Sequence, residues 1–211
     1  MNPIPEHARP ADPRWAVEFQ ALARGLVIAG AKGKIIERFT DLPHRKVSEL
    51  YKALRGFTPP TGPVTQGSVR QFAVPSNHIS PEWIIQCAIF MACYERMGKF
   101  TAERLHRGWQ LLTTFNGYLS LTDKLSQTTS VKQLDINQAY ALMSFCGFMT
   151  SSAGVELQRT VCPVCSIKYP VVAGEELARQ HCPVCTVSAT GPSLSRTDCA
   201  SDSEDTPLKP A

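Results

Sequence analysis

The 211-residue chain contains no apolar run that approaches the ~18 residues a membrane span needs. Its opening stretch, MNPIPEHARPADP, holds four prolines and no apolar core segment. That excludes the pattern of a signal peptide or an anchor, and a cytoplasmic location is the expectation. No heptad seam is present to dimerise the chain on itself. Walker loops, HExxH and GxSxG are all missing. His44, His78, His106 and His181 stand apart, without acids at motif spacing. The pair Glu103 and His106 lies at i, i+3 on one helix and reads as a solvated pair. These absences point away from an enzyme. Net charge is only +4, too small by itself to argue for nucleic acid.

What the chain does have is cysteine, eight in all. In a reducing cytoplasm disulfides are disfavoured, so each cysteine is read by its surroundings. Cys87, Cys93 and Cys146 sit in apolar stretches and read as small buried hydrophobes. Cys199 lies in a polar tail. The other four form two identical CPVC tetrads within CPVCSIKYPVVAGEELARQHCPVC, separated by 16 residues. A C-x2-C turn puts two sulfurs on one side of a tight backbone knuckle, and two facing knuckles make a tetrahedral cage. The spacing lies in the range of zinc sites. Cys162, Cys165, Cys182 and Cys185 are therefore the expected ligands of one structural zinc per chain. Four protein ligands leave no open position for chemistry. A redox pair would need a βαβ setting, which is absent. An iron site of rubredoxin type usually has glycine after each second cysteine, where Ser166 and Thr186 stand. His181, beside Cys182, is a substitute ligand that four thiolates make unnecessary.

The apolar spacing is mostly helical. Trp15, Phe19, Leu22 and Leu26 define a first helix, and Gly30 and Gly33 break it. Ile35, Ile36 and Phe39 mark a short second helix. Asp41 is the expected N-cap of a third, with Pro43 in its first turn. Val47, Leu50, Tyr51 and Leu54 give that helix its apolar face, and Gly56 ends it. Residues 57 to 81, with five prolines and two glycines, read as a linker or arm. Ser80-Pro81-Glu82 opens a helix that is apolar on nearly every side, hence central. Thr101 opens another, with Leu105, Trp109 and Leu112 on one face. Asp135 to Gln138 form an acid-for-serine capping box before a last helix with Tyr140, Met143 and Cys146. Beyond residue 155, Ile167, Tyr169 and Val171 alternate as in a strand. The fold class is mainly α. Residues 1–14 read as a flexible lead-in and 15–155 as a helical domain containing a helix-turn-helix. Residues 156–186 form a zinc-ribbon-like module, and 187–211 a disordered, acidic and Ser-rich tail.

Charge is unevenly spread. Residues 32 to 55 carry seven Lys and Arg against three acids. The outward face of the third helix shows His44, Arg45, Lys46, Ser48, Lys52 and Arg55, beside Glu49. Basic and polar residues at the start of a second helix are what a helix-turn-helix sets against the DNA major groove. Arg45 and Lys46 are placed for guanine edges or phosphates. The residues alone leave this reading level with that of a solvated surface helix in an ordinary bundle.

The stretch KVSELYKALRGFTPPTG, followed downstream by the two tetrads, resembles the FlhC family, the C subunits of the bacterial flagellar master transcription activator. The likeness extends over roughly residues 20 to 185. It implies a heterohexamer of four FlhD and two FlhC subunits, binding to promoter DNA and activation of flagellar operons. RNA polymerase would be a further partner of such an activator. The acidic tail departs from the basic stretch that the family often carries there. The competing reading is a zinc-ribbon RNA-binding or adaptor protein without promoter specificity.

Overall fold

The computed structural model describes residues 13–62, 81–98, 103–126, 133–145, 157–172, 182 and 184–185. The expectations for the lead-in, Ser80, Thr101, Cys146, His181, Thr186, Cys199 and the tail fall outside these residues. The described part is mainly helical. Among the described residues, six helices precede a two-stranded antiparallel ribbon: α1 Pro13–Ile28, α2 Gly33–Thr40, α3 His44–Arg55, α4 Pro81–Arg96, α5 Arg104–Ser126 and α6 Ile136–Phe145, then β1 Leu157–Val161 and β2 Lys168–Val172.

One apolar core joins all six helices. Leu22 and Leu26 of α1, Ile35 and Phe39 of α2, and Val47 and Tyr51 of α3 meet Phe90 of α4, Leu111 and Tyr118 of α5, and Leu142 of α6. Burying large side chains of this kind supplies most of the favourable folding free energy, at about 25 cal/mol per Å² of apolar surface. Aromatic rings cross edge-to-face within it, Phe39 on Tyr140 and Phe90 on Tyr118, each at 5.9 Å between centroids. α5 can lie this close to α1 and α2 because Gly108 leaves room. A β-carbon there would come within 2.5 Å of a Leu22 methyl and 3.0 Å of the Phe39 Cβ.

The expected ends of the elements are mostly observed, each with a physical cause. Gly30 takes φ 84° and closes α1 with paired bonds, its own N–H to the Val27 carbonyl and that of Ala31 to the Leu26 carbonyl. Gly56, at φ 78°, ends α3. The capping box on α6 is reciprocal. The Gln138 N–H donates to Asp135 Oδ1, and the Asp135 N–H donates to Gln138 Oε1, both at 2.8 Å. Asp41 differs from expectation. It takes a left-handed conformation at φ 52° and ends α2, instead of capping the start of α3. Its carboxylate pairs with Arg104 on α5. Pro43 is the N-cap of α3, so the helix starts two residues later than expected, and Pro43 offers no side-chain bond.

α4 is central in a different way from an all-round buried helix. Its Ile84, Cys87, Phe90 and Met91 are buried, and all but Ile84 belong to the main core. Ala88 packs instead against the small cluster of the ribbon. Beside it, Ile85 and Ile89 face Ile167 and Val184 across a half-open groove of about 710 Å³. Cys87 is buried and Cys93 half-buried, as expected for small apolar residues. Of the alternating trio near the end, Tyr169 and Val171 lie buried on β2, whereas Ile167 precedes the strand and is exposed.

Candidate metal centre and nucleic-acid interface

β1 and β2 pair from Leu157 opposite Val172 to Val161 opposite Lys168. The turn between them is the first CPVC tetrad. The Cys162 N–H donates to the Ile167 carbonyl, and the Ser166 N–H returns to the Cys162 carbonyl, both at 2.9 Å. Such a closed knuckle turns both sulfurs inward. Val164 donates its backbone N–H to Cys162 Sγ at 3.4 Å. In the second tetrad Cys185 does the same for Cys182 Sγ at 3.3 Å. Ser166 pays a conformational cost here, because it stands at φ 58° in the region that favours glycine.

The four sulfurs converge, with all of the ligand atoms within 4.8 Å of one another. Cys162 and Cys185 are 3.8 Å apart and Cys165 and Cys182 3.3 Å. A tetrahedral cage with metal–sulfur bonds of about 2.3 Å has edges of about 3.8 Å. The donor set and its dimensions therefore fit a metal ion. Charge supports the same reading. Backbone N–H groups of Cys165 and Val164 draw the Cys162 thiol down to about 6. Neighbouring sulfurs, Cys182 first, push Cys185 up to about 12, and burial raises Cys182. One thiolate is favoured but several together repel, and a cation is what relieves that repulsion. Tyr169 lies buried against the group, its hydroxyl raised by burial first and then by the sulfurs.

The basic helix is presented as follows. α2 and α3 are joined by three residues, and the first turn of α3 is open to solvent. The side chains of His44, Arg45 and Lys46 are 77%, 90% and 66% exposed. Each of the three has an acidic neighbour. His44 Nδ1 lies 2.7 Å from Glu37, and both Arg45 Nε at 3.0 Å and Lys46 Nζ at 3.4 Å reach Glu49. These two cations hold the Glu49 carboxyl below its ordinary value. Ser48 is half-buried and Lys52 exposed. Arg55 has a different setting. Its guanidinium donates to the last carbonyls of α1, Val27 at 3.3 Å and Ile28 at 3.2 Å, and lies over the Phe57 ring. The pair Glu103 and His106 is a half-exposed surface contact at 2.9 Å.

Two features have no sequence signal in their own neighbourhood. Asn137, in the first turn of α6, donates to the Gly30 carbonyl at 3.3 Å and accepts from the Lys32 N–H at 2.8 Å. Tyr51 bonds the Ala31 carbonyl between them. These partners lie 20 to 107 residues apart in the chain. The left-handed backbone of Ser166 is the other, although the missing glycine after the second cysteine is its trace.

A family model described as the flagellar transcriptional activator FlhC matches residues 16–197. The flagellar transcriptional regulator FlhC of Enterobacter cloacae is 28% identical over 149 residues, which cover 68% of this chain and 66% of that protein. The chain thus spans just under two thirds of the length of that relative.

Proposed function

The chain belongs to the FlhC family of flagellar transcriptional activators, and we propose that it is a DNA-binding subunit of a promoter-binding complex. The observation that carries this reading is the exposed, basic first turn of α3. It stands three residues after α2, in a chain whose family regulates transcription. α2 and α3 act as a helix-turn-helix. Arg45 and Lys46 approach phosphates or guanine edges, with His44, Ser48 and Lys52 on the same outward surface. Glu49 is exchanged for phosphate when DNA binds, since it already neutralises both cations. Arg55 is the least available of the six, because its guanidinium closes α1.

Cys162, Cys165, Cys182 and Cys185 hold one structural zinc ion. Four thiolates suit that metal, and no position is left open for a reaction. The role is non-enzymatic and cytoplasmic. No helix among the described residues is long and apolar enough to cross a membrane. FlhD is the partner, in the assembly of four FlhD and two FlhC subunits that the resemblance implies, and RNA polymerase is touched at the promoter. The open apolar groove between α4 and the ribbon is the kind of surface a partner subunit covers. A footprint on a flagellar promoter fragment, with and without a cognate FlhD, tests this function. Protection is expected only from the mixture. A lone chain that protects the fragment equally well would remove the partner, and no protection in either case would remove the DNA.

A further inference from the structure

Several backbone polar groups of the turn between α1 and α2 are bound from elsewhere in the fold. Arg55 of α3 serves the carbonyls of Val27 and Ile28, and Tyr51 of α3 serves Ala31. Asn137 of α6 serves the Gly30 carbonyl and the Lys32 N–H at once. Lys32 is the N-cap of α2, and its own side chain makes no cap bond to that helix. In a capping box the third helical residue of the same helix binds the N-cap N–H. Here Asn137, 105 residues away, does so. Its own backbone is held by the reciprocal bonds of Asp135 and Gln138 on either side. The start of α2 is thereby fixed to α6, and α2 leads to α3 through three residues.

We propose that Asn137 is a positioning residue for base readout: by clamping the entry of α2 it sets the angle at which α3 meets DNA. This rests on the assignment of α3 to DNA binding. The physical basis is a difference in tolerance. Phosphate attraction is long-ranged and survives small rotations of a helix. Hydrogen bonds to base edges need donors within a few tenths of an ångström and near-linear geometry. Loosening the clamp should therefore erode sequence discrimination while leaving general affinity for DNA in place. A residue that only stabilises the fold would lower both together.

The test uses the full-length chain in the assembly in which it purifies. A duplex selected by the wild-type protein from a random library is compared with a scrambled duplex of the same length and composition. Asn137→Ala and Asn137→Asp are measured beside wild type across a salt series. The Asp variant keeps an acceptor for the Lys32 N–H but sets a carboxylate against the Gly30 carbonyl. Affinity for the selected duplex should fall roughly tenfold or more, the scale on which one bidentate base pairing discriminates. Affinity for the scrambled duplex and both salt slopes should stay as in wild type. Tyr51→Phe removes a neighbouring clamp bond without changing ring volume, and should give the same pattern more weakly. It keeps the test decisive if both Asn137 variants fail to fold. An equal drop on both duplexes, or an unchanged ratio between them, would overturn the proposal. Wild-type protein that yields no selected duplex would instead defeat the assignment of α3 to DNA, and this inference with it.

Discussion

Ser166 returns its backbone N–H to the Cys162 carbonyl over 2.9 Å, and adopts φ 58° in the same turn. The knuckle geometry that gathers the sulfurs is thus held in a conformation that side chains other than glycine resist, at roughly 1–2 kcal/mol.

Ser166→Gly relieves that strain and adds a smaller cost, roughly 0.5–1 kcal/mol, from the freedom glycine has when unfolded. The ribbon should gain up to about 1 kcal/mol. Competition with a zinc chelator should show the variant retaining metal at a few-fold higher chelator concentration. A variant that releases metal more readily than wild type would mean that the serine side chain itself supports the turn.

Zinc binding should release protons. The metal takes thiolates, and with Cys182 raised and Cys185 at about 12 both hold protons at neutral pH. Metal uptake at pH 7.5, followed with an indicator in weak buffer, should free at least these two. Affinity should rise with pH through the neutral range. It should fall more steeply below pH 6, where Cys162 is also protonated. Cys165→Ser should lose most of the bound zinc, while Cys199→Ser keeps it. Proton-neutral uptake, or full zinc in Cys165→Ser, would contradict the four-thiolate site.

Two glycines of α5 make a paired test of packing. At Gly117 a β-carbon would meet nothing within 4 Å. Gly117→Ala should therefore stabilise the protein by about 1 kcal/mol through helix propensity. Gly108→Ala has the same propensity gain but drives a methyl against Leu22 and the Phe39 Cβ. It should cost up to about 2 kcal/mol net, since overpacking a core costs about 1–3. Thermal melts of both variants decide this. Equal shifts would show that α5 does not approach α1 and α2 closely at Gly108.

Much of the fold is readable from residue spacing. The two tetrads have a fixed local geometry, so their convergence needs only that the chain return 16 residues later. Helix faces at Val47, Leu50, Tyr51 and Leu54 follow from the 3.6-residue repeat, and the box at Asp135 from contacts three residues apart. Asp41 misleads because an acid between two helices serves either one. Which it serves depends on Arg104, 63 residues away. Asn137 gives no warning because its partners belong to a turn that only the folded core brings near.

The central claim is that the first turn of α3 touches DNA. Its most direct test is the salt dependence of binding to a flagellar promoter fragment by the chain co-purified with FlhD, compared with the Arg45→Ala, Lys46→Ala double variant. Both side chains point into solvent away from Val47 and Tyr51, so the variant should fold normally. Its affinity should drop, and the log–log slope should flatten by roughly 0.9 for each phosphate that the variant no longer neutralises. Unchanged affinity and slope would show that Arg45 and Lys46 do no more than pair with Glu49 on a solvated surface.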